Sequence, residues 1–441
     1  MQRIAIVSEH ASPLAPAGGV DSGGQNIYVA NVARQFAARG CRVDVFTRLD
    51  SPSQPPVIEW DENVRIIHVP AGPARYLPKE DLVPLMGGFS RFLQDCFEVA
   101  EEPYDLIHAN FFMSAMAALP VARRFGIPLA VTFHALGRVR RQHQARADRF
   151  PDSRFEIEDE IVRQADCLIA ECPQDRRDLI DLYGADPRRI SMVPCGFDSE
   201  EMAPMDQREA RKLVRWTPGA FYLLQLGRMV PRKGIDNVIR ALGRLRSRHH
   251  IDARLCVVGG NIATQTDQDI PELQRLRDIA REEGVLDVVE FAGRRGRNQL
   301  RRYYCAADVF VSTPWYEPFG ITPVEAMACA TPVVGSDTGG IRYSVADGET
   351  GFLVPPRDPD CLAEKLAVLA RDRELARRMG QAGARRANRL FTWREVGDEL
   401  AEVFEVLVRQ RPRPAASRPS LPYGLPPAHA ARRISETESK D

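Results

Sequence analysis

The sequence predicts an α/β protein made of two mostly parallel sheets with helices on both faces. Three observations predict this. Short apolar runs alternate with segments of helical periodicity along most of the chain, as in successive β-α-β units. The alternation comes in two series that divide near Met205, and 441 residues are too many for one typical domain. Glycine-rich turns follow many of the apolar runs, at the carboxyl ends where open α/β sheets place their ligands.

The first series opens with strand Ile4–Val7 and a loop from His10 to Val20. Asp21-Ser22-Gly23-Gly24-Gln25-Asn26 then starts a helix to about Arg39, with Ile27, Ala30, Ala33, Phe36 and Ala37 on its apolar face. Bare backbone amides at a helix start favour an anion. The glycine pair lacks the third spaced glycine of a dinucleotide fingerprint. Further strands are expected at 42–47, 64–69, 104–108, 129–133, 166–170 and 190–193, with helices at about 85–98, up to Phe125, 155–164 and 176–183. His134-Ala135-Leu136-Gly137 closes one of these strands, and the arginine-rich stretch 138–154 reads as a loop with some helix.

The second series has strands at 221–226, 253–258, 288–291, 308–312 and 331–336. Helices are expected at 235–246, after Pro271, and at 300–306, 359–370, 373–386 and 393–409. After strand 308–312, Pro314, Pro318 and Gly320 break regular structure. A helix then starts at Thr322 with Glu325 three residues on, which reads as a capping box. The expected organisation is one domain over 1–205, a second over 206–390, a final helix over 391–410 packing back on the first domain, and a disordered tail over 411–441 rich in Pro, Ala, Arg and Ser.

Composition narrows the function. Lys+Arg and Asp+Glu are both 60, so nothing global points to nucleic acid or an anionic membrane. No apolar run approaches a membrane span, and no hydrophobic signal segment follows the first strand. Nine cysteines without a Cys-x-x-Cys pair read as reduced core residues of a cytoplasmic protein. The eight histidines do not cluster as metal ligands.

The polar residues left at the strand ends carry the chemistry. Arg228 and Lys233 flank a strand-to-helix loop and suit a diphosphate or phosphoryl leaving group, or a plain solvated turn. A P-loop is excluded, since no glycine-rich run ends in Gly-Lys-Ser/Thr. Glu317 and Glu325 are acceptors for hydroxyls, and His134 is a hydrogen-bond donor beside a buried strand or an ordinary loop histidine.

Gly23-Gly24-Gln25-Asn26, His134-Ala135-Leu136-Gly137, Gly227-Arg228 with Lys233-Gly234, and Glu317 seven residues before Glu325 resemble, in order and spacing, the retaining glycosyltransferases of family 4 (group 1). That family includes sucrose-phosphate synthase, sucrose synthase and the mycothiol-pathway D-inositol-3-phosphate glycosyltransferase. The likeness covers roughly residues 1–410. It implies the GT-B architecture, two facing Rossmann-like domains around a cleft, and transfer of a hexosyl group from a nucleotide sugar. The implied roles are these. Gly23 and Gly24 meet the diphosphate or the acceptor near it. Arg228 and Lys233 neutralise the diphosphate. Glu325 holds the ribose and the segment at Gly293 and Arg294 borders the base. Glu317 with Phe319 and Gly320 contacts the donor sugar, and His134 supports the reaction centre. No cofactor or essential metal is implied.

On the acceptor side, the resemblance points to Gln25, Asn26, Lys79, Phe111, Ala135 and Arg154. Lys79 and Arg154 match basic residues that relatives use for phosphorylated acceptors. Phe111 and Ala135 stand where the inositol-phosphate enzyme has a tyrosine and a threonine, so two hydroxyl donors are missing. A sugar phosphate and an unphosphorylated polyol or glycan end are both open. A UDP-sugar is the favoured donor. A two-domain nucleotide-sugar epimerase and a non-catalytic nucleotide-sugar-binding protein are the rival readings.

Overall fold

A computed structural model describes residues 1–15, 23–260 and 271–410, with only the backbone of Arg146. Asp21, Ser22, most of the loop before them, the start of the 266–283 segment and the tail 411–441 lie outside the described residues.

The first sheet contains β1 (Arg3–Val7), β2 (Arg42–Arg48), β3 (Val57–Asp61), β4 (Val64–Val69), β5 (Leu106–Asn110), β6 (Leu129–Thr132), β7 (Cys167–Ala170) and β8 (Ile190–Met192). They lie in the order β3-β4-β2-β1-β5-β6-β7-β8. All neighbours are parallel except β3 with β4. Its helices are α1 (Gly24–Ala38), α2 (Met86–Glu98), α3 (Phe112–Phe125), α4 (Gly137–Gln144), α5 (Ser153–Gln164) and α6 (Pro173–Tyr183). Ile4, Ala5, Ile6 and Val7 are fully buried, as a strand covered on both faces requires. The sequence reading placed no strand at 57–61. This edge strand alternates exposed and half-buried residues and carries Glu59 and Asp61, so it lacks a buried apolar run.

After the linking α7 (Gln207–Val214), the second sheet contains β9 (Phe221–Leu226), β10 (Ala253–Val258), β11 (Val289–Gly293), β12 (Val309–Ser312), β13 (Val333–Ser336) and β14 (Gly351–Val354). Their order is β11-β10-β9-β12-β13-β14, all parallel. Its helices are α8 (Ile235–Ser247), α9 (Pro271–Glu282), α10 (Arg297–Ala306), α11 (Ile321–Ala328), α12 (Gly339–Ser344), α13 (Pro359–Arg371) and α14 (Arg373–Leu390).

Strand order reverses between β1 and β5 in the first sheet, and between β9 and β12 in the second. At such switch points the connections leave in opposite directions and open a crevice at the carboxyl ends.

The last helix, α15 (Trp393–Gln410), returns to the first sheet. Phe404 stacks on Phe36 of α1 with centroids 5.4 Å apart, and Arg39 pairs with Asp398. The chain crosses over through Phe197 N–H to Phe391 O at 2.8 Å and Trp393 N–H to Phe197 O at 3.1 Å. One apolar cluster, including Phe36, Phe197, Phe319, Phe391 and Phe404, therefore joins both halves. Among the described residues, no helix is long and apolar enough to cross a membrane. Phe404→Ala is expected to destabilise the protein by about 3 kcal/mol, read as a lower urea midpoint. An unchanged midpoint would show that α15 is not part of the cooperative fold.

Candidate active site

Both switch points send their loops into one crevice. From the second sheet, the loop after β9 carries Arg228, Arg232 and Lys233, and the loop after β12 carries Glu317. The two loops are tied together. Thr313 Oγ1 donates to Gly234 O at 3.0 Å, and Trp315 N–H donates to Arg232 O at 2.9 Å. Gly234 has φ +66°, and a Cβ there would lie 2.0 Å from Thr313 O. Lys233 is thereby set against Glu317, donating from Nζ to Oε2, while Arg232 Nη1 lies 4.0 Å from the same oxygen.

Burial pushes the Glu317 carboxyl up, but Lys233, Arg232 and Arg228 outweigh it and hold the group below its ordinary value. Burial also draws the Lys233 ammonium down, opposed by Glu317 and reinforced by Arg232 and Arg228. Three cations thus face one carboxylate, and Arg232 Nη1 is buried without a hydrogen-bond partner. That surplus of positive charge suits an anion.

The Glu317 loop rests on the glycine turn that opens α12. Gly340 N–H donates to Glu317 O at 3.1 Å. A Cβ on Gly339 (φ +49°) would lie 1.9 Å from Glu317 O, and one on Gly340 would lie 2.2 Å from Phe319 Cα. The Thr322–Glu325 capping box is not formed. Helix α11 starts one residue earlier, with Gly320 (φ +92°) as its cap. Glu325 is 2% exposed and points to α10, where Arg297 Nη1 donates to Oε1 at 2.9 Å and Tyr304 OH to Oε2 at 2.8 Å. A charge-assisted pair from another helix holds this buried carboxylate in place of a neutral local cap. Gly293 ends β11 with φ +70°, and its carbonyl accepts from Gly259 N–H at 2.9 Å, with Arg294 next in the chain.

From the first sheet, Gly23 N–H donates to Asn26 Oδ1 at 2.9 Å, and Asn26 Nδ2 donates to Ser12 O at 2.9 Å. Gln25 Nε2 reaches Ser8 Oγ and Asn110 O, each at 3.2 Å. These side chains brace the start of α1. A Cβ on Gly24 would lie 3.6 Å from Ile321 Cδ1, so the starts of α1 and α11 face each other. His134 follows β6 with φ +55°. Its Nδ1 lies 2.8 Å from Glu171 Oε1 and its Nε2 3.0 Å from Asn110 Oδ1.

Of the acceptor-side residues, Phe111, Ala135 and Arg154 come together. Lys79 is half-buried in a short turn before α2. Phe111 caps α3 with φ +81° and packs edge-on against His10. Arg154 is 1% exposed. Its Nε donates to Glu158 Oε1 at 2.7 Å and its Nη2 to Ala135 O at 2.5 Å, while Phe111, Phe112 and Phe150 ring the guanidinium within 5.1 Å. Arg154 is sealed from the cleft surface in this state. Arg138, Arg140 and Arg141 pair with Asp159, Asp148 and Asp152.

The halves touch where His143 stacks on Tyr316 at 4.9 Å and Cys172 Sγ donates to Pro318 O at 3.3 Å. Beside this contact lies a cavity of about 140 Å³, lined by Ala135, Gln142, Gln174, Asp175, Tyr316 and Glu317 among others. Among the described residues, no group of three or more His, Cys, Asp or Glu is placed to hold a metal ion.

The profile of group 1 glycosyl transferases matches residues 206–386, and that of the glycosyl transferase 4-like domain matches residues 23–196. A D-inositol 3-phosphate glycosyltransferase from Nocardiopsis dassonvillei is 38% identical over 423 residues, covering 94% of this chain and 97% of its own. This chain belongs to the group 1 glycosyltransferase family. A second relative of this glycosyltransferase, the D-inositol 3-phosphate glycosyltransferase of Kineococcus radiotolerans, is also 38% identical and covers 93% of this chain and 97% of its own. Among solved structures, sucrose-phosphate synthase from Thermosynechococcus elongatus superposes with a TM-score of 0.84 at 32% identity, over 93% of this chain and all of its own. An Anabaena protein, HepE, solved in complex with UDP-glucose, shares the fold at 20% identity with a TM-score of 0.70, over 92% of this chain and 100% of its own. The glycosyltransferase therefore has the GT-B fold.

Several residues of this candidate site carry little or no signal in the sequence. Arg232 has a visible signal in the adjacent Arg-Lys pair. Asn110 ends β5 and Glu171 follows β7, positions that flag ligand-side residues in α/β sheets. Arg297 and Tyr304 had no local signal, because their partner lies 28 and 21 residues away.

Desolvation in the crevice, with the neighbouring Glu171 carboxylate, pushes Asp175 up to about 8. The folded protein then keeps a proton that the unfolded chain releases near 3.8, so this stability is complete below that value and is lost as pH rises to about 8. Asp175→Asn removes the titration and keeps an acceptor for Glu171 N–H. Its Tm relative to the natural chain is expected to rise between about pH 5 and about pH 8. A difference that does not change with pH would contradict the assignment.

Proposed function

We propose that this glycosyltransferase moves a hexosyl group from a nucleotide sugar, with a UDP-sugar preferred, to a small hydroxylated acceptor with retention at the anomeric carbon. The observation that carries this reading is the set of three cations around Glu317 at the β9–β12 switch point. A donor diphosphate competes for Lys233, Arg232 and Arg228, and Glu317 is then released to accept hydroxyl hydrogens of the sugar. The bond from the anomeric carbon to the diphosphate oxygen breaks with its electron pair going to the diphosphate. The acceptor oxygen bonds on the same face and its proton passes to a diphosphate oxygen. Fixed positive charge lowers the energy of that leaving group, and the bound geometry supplies orientation. Lys and Arg provide the neutralisation that a divalent cation provides in other phosphate chemistry, so no essential metal is invoked.

The remaining roles follow position. The Gly24 amide faces the diphosphate, while Gly23 N–H is already taken by Asn26 Oδ1 and only shapes the turn. Glu325 offers its remaining lone pairs to the ribose, and Gly293 with Arg294 borders the base. HepE, solved with UDP-glucose, supports the choice of UDP. The named relatives support a phosphorylated acceptor, held by Lys79. Arg154, already engaged by Glu158 and Ala135 O, favours a second reading in which the acceptor is an unphosphorylated polyol or glycan end.

UDP release from UDP-glucose across an acceptor panel including fructose 6-phosphate and D-inositol 3-phosphate tests the assignment. Turnover that requires both substrates supports transfer. Conversion of donor without acceptor supports an epimerase or hydrolase, and tight binding without turnover supports a binding protein. Lys233→Ala and Glu317→Ala are each expected to lower kcat at least about tenfold, and near-normal rates in both would overturn the site. With a phosphorylated acceptor, Lys79→Ala should raise the acceptor KM more than the donor KM. Equal activity on the dephosphorylated acceptor would instead establish the second reading.

A further inference from the structure

The proposed mechanism leaves Glu171 unused. It follows β7, is 2% exposed, and lies directly against His134. Its Oε1 accepts from two groups at once, His134 Nδ1 at 2.8 Å and Cys195 Sγ at 3.0 Å. Burial pushes this carboxyl up, but His134 and the Cys195 thiol outweigh it and hold the group ionised below its ordinary value. A buried carboxylate facing a ring nitrogen accepts, so Nδ1 donates. On the other side of the ring, Nε2 faces Asn110 Oδ1 at 3.0 Å. Asn110 Nδ2 is turned to His108 O at 3.3 Å, which supports the orientation of that amide. The edge of Tyr28 packs against the imidazole with centroids 4.8 Å apart. The ring is thus held on three sides, and its backbone sits at φ +55°, a conformation that needs support in a non-glycine residue.

We propose that Glu171 is a positioning residue for the transfer reaction: anchored by Cys195, its carboxylate takes the His134 Nδ1–H and so fixes the direction of Nε2, which rests on the buried Asn110 amide. A carboxylate behind a histidine sets both the orientation and the proton position of the ring. A sugar hydroxyl that reaches the His134 side chain, a tenth of which is exposed, then meets an imidazole of fixed direction. Other charged or titratable groups near Glu171 are Asp175 and Cys172 on its own segment, Glu317 from the second sheet, and Tyr28 from α1.

This inference rests on His134 facing substrate, and the test separates the two. In the full-length enzyme, Glu171→Gln keeps size and an acceptor but removes the charge. It is expected to lower kcat about tenfold while leaving donor KM within about twofold, read as UDP release from UDP-glucose with the acceptor that the panel selects. In a His134→Ala background the same substitution should change kcat by less than about twofold, because Glu171 then has nothing to position. Additive losses, or wild-type kcat in the single variant, would overturn the proposal. If His134→Ala itself turns over normally, the reading of His134 fails instead. A second readout needs no substrate. In ¹⁵N-histidine spectra of the ligand-free protein, the ring signal absent from His134→Ala should move in Glu171→Gln, and an unmoved signal would also overturn it. Should Glu171→Gln not fold, Glu171→Asp keeps the charge, withdraws it by one methylene, and is read in the same way.

Discussion

The contact between Lys233 and Glu317 is the interaction on which the rest of the site depends. Taking two charges out of water costs more than a single ion pair in the interior usually returns. Here the pair also draws on Arg232 and Arg228, and its position is set by backbone that tolerates no side chain at Gly234 and Gly339. Parallel strands β9 and β12 bring the two loops side by side, and Thr313 ties them. The result is a preformed concentration of positive charge restrained by one acid.

The opposite wall is organised on a related plan. Charge there is also buried and paired, but each pair lies within the first sheet. Glu171 engages His134 and Cys195, and Glu158 engages Arg154 together with the Tyr183 hydroxyl. Three aromatic rings surround Arg154 as well. That wall is therefore satisfied largely by its own side chains, with Arg154 Nη1 left buried without a hydrogen-bond partner. Such a surface discriminates by shape and by a few directed hydrogen bonds more than by net charge.

Glu325 shows how a local pattern and a tertiary demand compete. Thr322 followed by Glu325 is a sound capping box in isolation. In the folded chain a capping interaction of about 1 kcal/mol is set against leaving a buried tyrosine hydroxyl without a partner and breaking one of the two ion pairs of Arg297. The second cost is larger, so the helix begins at Ile321 under a glycine cap and the carboxylate turns to α10. Most helix bounds differ from the sequence reading by only a residue or two. The edge strand β3, without a buried face, escaped it.

The sequence by itself determined the α/β class, the two parallel sheets, and the placement of Gly23, His134, Arg228, Lys233, Glu317 and Glu325 at the ends of elements. These follow from periodicity, glycine placement and the position of polar residues relative to apolar runs, all of which are local. Which of those residues touch was decided only by the tertiary structure. Lys233 meets Glu317 across 84 residues, His134 meets Glu171 across 37, and Gln144 of the first half reaches Tyr316 of the second across 172. No pattern within a short window encodes such pairings. They arise because strand order places distant loops at one switch point, and because a buried charge must find its partner wherever the fold brings one.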